Sequence, residues 1–419
     1  MLESCVTDMN PVLHILVWGG AFGLAFLACS GSGSDPGPPT QDGATGQASG
    51  GTNGVGGSIA NEVGTKTGGS PSEAGGASNA SGGTSNSAVG GSPAQPPAGS
   101  YRVCTPWVSS TVASPEIGVE GDGKSEVGQM GFFDQPELTP NPALPQGRMV
   151  EFTMKSAESS FYPGIKGPYE RRVKVFVPSQ YIPGTQAPFI IGNDGYDFQI
   201  PSTLNNLIPG KCLPVMIGIF VGNGGGDAPG SQRGLEYDTV SGTFGQFLIA
   251  EVLPRVELEA GVLLTTDPEG GALVGTSSGA AGAFTAAWFH PERFRRVISY
   301  SGTFVDLQSG QDDQSKAAEA MYPYGAWEYH QNIIPLSPLQ PLQPLRTWLM
   351  RGEFDSIIGS PTGRRNWQVA NDNMFTALIQ KGHHVQYQIA LGRGHSEDAP
   401  VGFSIPQAMM WVWRGYPLQ

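Results

Sequence analysis

The sequence predicts an α/β fold: a mostly parallel central sheet with helices on both faces. Three observations carry this. From Arg171 onward, strand-like and helix-like segments alternate, as successive βαβ units require. Several strand segments, such as LPVMIGIFVG (213–222), are continuous apolar runs, the composition of a strand covered on both sides. Every tyrosine lies in residues 101–419, whereas 30–100 contains no Phe, Trp or Tyr, so a single large core belongs to the later part of the chain. No internal repeat is present.

The elements follow in chain order. Residues 11–28, PVLHILVWGGAFGLAFLA, form an apolar run that His14 and paired glycines make marginal as a membrane span. The following FLAC (26–29) resembles a bacterial lipobox. It implies a signal over 1–29 whose Cys29 is acylated and becomes the mature N-terminus. Position −3 is Phe26 where Leu is usual, and Glu3 and Asp8 precede the run with no Lys or Arg; an uncleaved anchor or ordinary secretion is the alternative. In 30–100, 20 of 71 residues are glycine, and such a stretch cannot bury enough apolar surface to offset its ordering entropy. It reads as a disordered Gly/Ser-rich tether, long enough to let an anchored domain reach outward. Residues 101–147 read as an N-terminal extension packed on the main domain, 148–419. Cys5 and Cys29 fall in the signal, leaving Cys104 and Cys212 either to form one disulfide in an exported chain or to remain two unpaired thiols.

Within the main domain, RRVKVFVP (171–178), APFIIGNDG (187–195), 213–222, GALVGTS (271–277), RRVISYSG (295–302), PLRTWLMRG (344–352) and VQYQIALG (385–392) are predicted strands. TFGQFLIAEVLPRVELE (243–259), SGAAGAFTAAWF (278–289) and NWQVANDNMFTALIQKG (366–382) are predicted helices. The aperiodic, proline-rich stretch 303–343 reads as an excursion over the edge of the sheet. With 23 basic and 36 acidic residues the net charge is −13 and there is no basic run, so the chain repels phosphate backbones and nucleic acid is excluded as a partner.

The chemistry centres on GTSSG (275–279), which follows a predicted strand and opens a small-residue helix. A strand that reverses sharply into a helix exposes a serine hydroxyl above the sheet, and the flanking positions must be glycine to fit the turn. Spacing selects Ser277 as nucleophile and makes the Ser278 N–H one oxyanion donor. A serine needs a base. His14 lies in the signal, His290 at a helix end, His330 in the excursion, and His383 and His384 ahead of a strand at the wrong edge. His395, after the strand VQYQIALG, lies on a loop at the correct edge. The acid belongs between serine and histidine in chain order, after PLRTWLMRG. Asp355 is the choice and Glu353 the competitor. No cluster of His, Cys and carboxylates has metal-ligand spacing, so neither metal nor cofactor is implied.

The chain resembles the esterase D and enterochelin-esterase-like group of α/β-hydrolases, which includes feruloyl and acetylxylan esterases. The resemblance covers about 148–419 and rests on NDGYDF (193–198), SQRGLEYD (231–238), FLIAEVLPRVE (247–257), GTSSGAAGAF (275–284), FHPERFRRVISYSGTF (289–304), GEFD (352–355), NWQVANDNM (366–374), GRGH (392–395) and WVWRGYP (411–417). It implies an α/β-hydrolase fold and a serine esterase working through an acyl-enzyme. It places the second oxyanion N–H on Tyr196, although the HGGG form of lipases is absent. Arg233 and Glu236 match the group's R-x-x-E-Y pattern and read as a structural ion pair near the cleft, with direct substrate contact the alternative. The expected substrates are acyl or feruloyl esters of polysaccharides; siderophore trilactones are the second enzymatic reading, and a catalytically idle surface-binding lipoprotein is the reading from another class. The expected location is the bacterial envelope (outer membrane or cell surface) through a lipid anchor, otherwise the periplasm or medium.

Overall fold

The Val- and Ile-rich runs form the middle of a nine-stranded sheet in the computed structural model, which describes residues 103–104, 122–128, 135–227, 229–307, 313–337 and 345–418. The signal 1–29 with Cys29 and the tether 30–100 lie outside the described residues. The strands are β1 (Gly123–Val127), β2 (Arg148–Lys155), β3 (Glu170–Val177), β4 (Gln186–Ala187), β5 (Phe189–Gly192), β6 (Ile217–Val221), β7 (Leu263–Leu264), β8 (Gly271–Thr276), β9 (Arg296–Tyr300), β10 (Arg346–Gly352) and β11 (His384–Ala390). In space the large sheet runs β1-β11-β10-β9-β8-β5-β6-β3-β2, with β4 and β7 paired separately. Only the β2–β3 and β3–β6 pairs of the large sheet are antiparallel. This is the α/β-hydrolase arrangement, with β1 added in parallel beyond β11.

The helices are α1 (Ile200–Leu207), α2 (Gln232–Tyr237), α3 (Thr243–Phe247), α4 (Leu253–Ala260), α5 (Ser278–Phe289), α6 (Asp313–Met321), α7 (Ile334–Leu336), α8 (Trp367–Gln380) and α9 (Asp398–Val412). Because side chains alternate along a strand, each central strand feeds two cores. Ile191, Ile219, Leu273, Val297 and Leu349 pack under α2–α5 and α8. Ile190, Phe220, Val274, Ile298 and Met350 pack under α1 and α9. That double burial is why the strands read as continuous apolar runs.

The register matters most for function. Thr276 pairs with Tyr300, Tyr300 with Met350, and Gly352 with Ala390, so β8, β9, β10 and β11 end at one edge of the sheet. The chain segments beginning at Ser277, Ser301, Glu353 and Leu391 therefore leave the sheet side by side.

Two expectations need correction. The helix expected over 243–259 is α3, a π turn (Leu248–Val252) and α4. The Leu253 N–H bonds Leu248 O, five residues back, and Pro254 supplies no N–H to restore the α pattern. The stretch 303–343 is not an edge excursion. Where described, it carries α6, a π turn (Tyr329–Ile333) and α7, and it seats on α5: Tyr329 packs edge-to-face on Phe284 and its hydroxyl donates to Thr285 Oγ1 at 2.8 Å. Elements that sequence periodicity did not reveal are β1, β2, α1, α2 and α9. The edge strand β1 is GKSEV, with one apolar residue, and α9 carries Pro406 in its interior and apolar residues on most of its surface.

Cys104 and Cys212 form a disulfide, and the Cys104 N–H donates to Gly210 O at 3.0 Å. The bridge ties residues 103–104 to the loop after α1, closing a separation of 108 residues. Crosslinks over loops this long typically contribute about 2–4 kcal/mol.

Candidate active site

Strand β8 ends at Thr276 and α5 begins at Ser278, so the whole reversal falls on Ser277, with φ 53° and ψ −127°. This left-handed conformation is costly for a residue with a Cβ. It is imposed from both sides: the Ser277 N–H donates to Tyr300 O at 2.9 Å, and Ser277 O accepts from the Thr303 N–H at 3.1 Å. The two motif glycines are required by close approach. A Cβ at Gly275 would lie 2.3 Å from the Gly279 carbonyl group, and one at Gly279 would lie 2.6 Å from Asp194 Oδ2.

His395 leaves the loop after β11 and places Nε2 2.9 Å from Ser277 Oγ. Its Nδ1 lies 2.6 Å from Asp355 Oδ1, on the loop after β10. The Asp355 side chain is fully buried, while that of His395 remains 26% exposed toward the open edge. Since a carboxylate only accepts, Nδ1 carries the proton and Nε2 is free to accept from the serine hydroxyl. The edge of one ring meets the face of the other where Trp367 packs on His395, with centroids 5.6 Å apart, which restricts how the imidazole turns. Glu353, the competing acid, points elsewhere: its Oε2 accepts the Gly392 N–H at 2.8 Å and braces the base of the histidine loop.

The two N–H groups expected to face an oxyanion lie at the start of α5 and on the turn opposite it. Ser277 O is used by the N–H groups of Ala280 and Ala281, and the Ser278 N–H, at the helix N-terminus, has no intrahelical acceptor. Opposite it, Asn193–Gly195 forms a tight turn in which Asp194 has φ 62°. The Tyr196 N–H closes this turn on Asn193 O across a long 3.3 Å, and the Tyr196 side chain is exposed. The turn is fastened to the elbow by Asn193 Nδ2, which donates to Gly279 O at 2.7 Å.

The family model described as "Putative esterase" matches residues 168–405, more than half of the chain. The chain belongs to this esterase family. None of the curated proteins matches it. Among solved structures it is similar to a ferulic acid esterase, with 17% identity over 65% of this chain and 99% of that one and a TM-score of 0.47. A feruloyl esterase module from Clostridium thermocellum complexed with sinapinate matches with 17% identity over 70% and 97%, TM-score 0.45. The enterobactin esterase of Shigella flexneri matches with 19% identity over 65% of this chain, TM-score 0.42, and the esterase spans 61% of that protein's chain.

One expectation about the esterase is overturned. Arg233 and Glu236 do not pair with each other. Arg233 grips Asp194 with two hydrogen bonds, 2.7 Å from Nε to Oδ1 and 2.9 Å from Nη2 to Oδ2, and also reaches Asp227. Glu236 instead receives Arg171 from β3, at 2.6 and 2.9 Å, together with the Tyr169 hydroxyl. Each has a charged partner on a neighbouring element that offers bidentate geometry, which an i,i+3 pair on one short helix cannot match. The Arg233–Asp194 pair fastens the tight turn to α2, so Arg233 braces the backbone that leads into Tyr196. Burial works against both guanidinium charges, yet the facing carboxylates raise Arg171 and Arg233 above the ordinary arginine value.

The remaining histidines among the described residues stay away from Ser277. Burial pushes His330 and His383 down to about 4, and His383 Nδ1 accepts the Leu345 N–H, so both are neutral packing residues. His290 caps α5, with Nε2 2.8 Å from Gly242 O, and His384 lies 3.0 Å from Asp122 at the opposite end of β11. Among the described residues no group of three or more His, Cys, Asp or Glu converges as metal ligands would.

Sequence reasoning missed four residues of the site: Asp194, Asp238, Thr303 and Trp367. Asp238 is buried behind the elbow, where its Oδ2 accepts the Ser278 hydroxyl at 3.1 Å. Burial, aided by Asp227 and Asp194, pushes its carboxyl up to about 7, against the Ser278 hydrogen bond and the Arg233 charge. The folded carboxyl thus keeps a proton that the unfolded one releases near pH 4, and stability falls as pH rises from about 4 to about 7. His330 and His383, depressed by burial, act in the opposite sense from about 4 to about 6.5. Asp238→Asn removes only the first effect. Its melting temperature relative to wild type is expected to rise steadily between about pH 4.5 and about pH 7.5. A difference independent of pH, measured by thermal unfolding, would refute the raised carboxyl.

Proposed function

We propose that the esterase hydrolyses carboxylic esters through an acyl-enzyme on Ser277. The observation that carries this is the unbroken chain from Ser277 Oγ to His395 Nε2 and from His395 Nδ1 to Asp355 Oδ1, at 2.9 and 2.6 Å. In the first half-reaction Oγ attacks the ester carbonyl carbon while His395 Nε2 takes the hydroxyl proton. The tetrahedral oxyanion is held by the N–H groups of Ser278 and Tyr196, the latter exchanging its long bond to Asn193 O for the charged oxygen. The N-terminus of α5 adds its partial positive charge. Asp355 keeps the imidazole in the accepting tautomer and stabilises the imidazolium. Collapse of the intermediate transfers the proton to the leaving alcohol; water then attacks the acyl-enzyme by the same route in reverse.

The substrates we assign are acyl or feruloyl esters of polysaccharides. The loops carrying the oxyanion turn and the acid present exposed apolar side chains, Tyr196, Phe354, Ile357 and Ile358, suited to an apolar acyl group rather than a charged one. Incubation with a fluorophosphonate, followed by peptide mass analysis, tests the mechanism: the expected adduct is on Ser277, and an unlabelled protein overturns it. Steady-state hydrolysis of methyl ferulate against short-chain acetyl esters then separates the acyl classes.

We further propose export and lipid anchoring at Cys29. The supports are the apolar run 11–28 ending in FLAC, the Gly-rich stretch that follows, and the Cys104–Cys212 bridge, which belongs to an oxidising compartment. In a bacterial host the full chain is expected to fractionate with membranes and incorporate labelled palmitate, and Cys29→Ser to lose both. Equal membrane association of the two forms would refute the anchor.

A further inference from the structure

We propose that Thr303 is a further catalytic residue of this esterase, donating its hydroxyl proton to Ser277 Oγ. The proposal rests on the reading of Ser277 as nucleophile. Thr303 follows β9, is 1% exposed, and places Oγ1 3.2 Å from Ser277 Oγ. Its N–H also holds Ser277 O, so the two residues are fastened at two points.

Distance alone leaves open which hydroxyl donates, but the surrounding partners decide it. Trp367 Nε1 lies 3.1 Å from Thr303 Oγ1. An indole N–H can only donate, so it occupies a lone pair of the threonine oxygen and leaves the threonine proton for another acceptor. From the other side, Ser277 has one proton and His395 Nε2 is waiting for it at 2.9 Å, because Asp355 has fixed the Nδ1–H tautomer. The serine proton goes to His395, and Ser277 Oγ accepts from Thr303. The relay therefore runs Trp367 Nε1–H to Thr303 Oγ1, then Thr303 O–H to Ser277 Oγ, then Ser277 O–H to His395.

This direction has a chemical consequence. As His395 removes the serine proton, negative charge grows on Oγ, and the hydrogen bond from Thr303 becomes charge-assisted and stronger. Once Oγ is an ester oxygen in the acyl-enzyme it is a poor acceptor, and the bond weakens. When the acyl-enzyme breaks down, Oγ is the leaving group and the charge returns. Thr303 thus interacts most strongly in the transition states of both half-reactions, the condition for raising kcat rather than tightening ground-state binding. It acts on the nucleophile oxygen, whereas Ser278 and Tyr196 act on the carbonyl oxygen. Trp367 is the positioning residue: its N–H orients the threonine hydroxyl and its ring packs on His395.

A purely structural role, in which Thr303 only satisfies a buried indole N–H, makes different predictions. Thr303→Val keeps the shape, removes the donor and orphans Trp367 Nε1; Thr303→Ser keeps the hydroxyl; Thr303→Val with Trp367→Phe removes both ends, so nothing is orphaned. Each is followed by fluorophosphonate labelling rate, by kcat and KM for p-nitrophenyl acetate, and by melting temperature. Thr303→Val is expected to lose about 10- to 100-fold in kcat and in labelling rate with KM little changed. Thr303→Ser should stay within about threefold of wild type. The double variant should regain melting temperature relative to Thr303→Val without recovering rate. Labelling of Thr303→Val at the wild-type rate, or a double variant that regains rate along with stability, overturns the proposal. Those outcomes differ from failure of the underlying reading, in which wild type itself carries no adduct on Ser277.

Discussion

Ser277→Ala is expected to abolish hydrolysis of p-nitrophenyl acetate, lowering kcat by on the order of 10⁴-fold or more, while the protein stays folded. The chemical half of this expectation follows from the site. The serine oxygen is the atom facing His395 Nε2, and without it the base has no nucleophile to activate. What activity survives comes from water positioned near the oxyanion donors. The folding half follows from the backbone. Alanine has the same Cβ as serine, so the conformation at φ 53° costs the variant no more than it costs wild type, and the two backbone hydrogen bonds that impose the elbow remain. The variant loses the hydroxyl's contacts to His395 and Thr303, a net effect of about 1 kcal/mol. The melting temperature should therefore move by only a few degrees. Residual activity above about one tenth of wild type would mean a different nucleophile.

The second large effect is expected at the acid. Asp355→Asn should lower kcat by on the order of 10²–10⁴, with KM little altered. The asparagine amide preserves the volume of a fully buried side chain. Asp355 Oδ1 both accepts the Ser356 N–H at 2.7 Å and faces His395 Nδ1 at 2.6 Å. An amide oxygen kept there brings no charge to stabilise the imidazolium, and an amide nitrogen turned there gives up the Ser356 bond. So turned, the NH₂ group can donate to His395 Nδ1, which stabilises the imidazole with its proton on Nε2. That tautomer faces Ser277 with a donor and cannot take the serine proton. Glu353→Gln should cost less than about tenfold, because the glutamine carbonyl oxygen can still accept the Gly392 N–H that Glu353 holds. Steady-state kinetics of the two variants, measured side by side, decide between the acids: the larger loss at Glu353 would reverse the assignment.

The two carboxylates also show where sequence reasoning ended. They lie two residues apart on a loop with no periodicity, and the shorter side chain and the G-x-x-D pattern favour Asp355, with Glu353 left as the competitor. The fold separates the two by what each carboxylate meets. It carries the histidine loop past both residues, so that one carboxylate meets a backbone N–H and the other an imidazole. Arg233 and Glu236 make the same point with the opposite outcome. The family pattern they match suggested a structural pair, but the neighbouring turn and strand supply Asp194 and Arg171 in better geometry. The stretch 303–343 misled for a related reason. Its proline-rich segment hid the aromatic anchor Tyr329, whose partners Phe284 and Thr285 lie on α5, some forty residues earlier.

What could be read without coordinates was local or repetitive in character. Continuous apolar runs mark buried strands because burial on both faces demands them, and GTSSG marks the elbow because that turn admits only small flanking residues. The chain order of strand ends puts Ser277, Asp355 and His395 at one edge, since parallel strands joined by crossovers all finish on the same side. What needed the tertiary structure was every contact between segments distant in sequence whose residues carry no pattern of their own. Asp194 against Arg233, Asp238 beneath Ser278, and Trp367 through Thr303 onto Ser277 are all of this kind. Hydrogen bonds depend on tenths of an ångström and on direction, whereas hydrophobic burial tolerates approximation. For that reason composition and periodicity were enough to mark the central strands and the turn at Ser277, and the polar contacts around the Ser277 hydroxyl became visible only once the chain was folded.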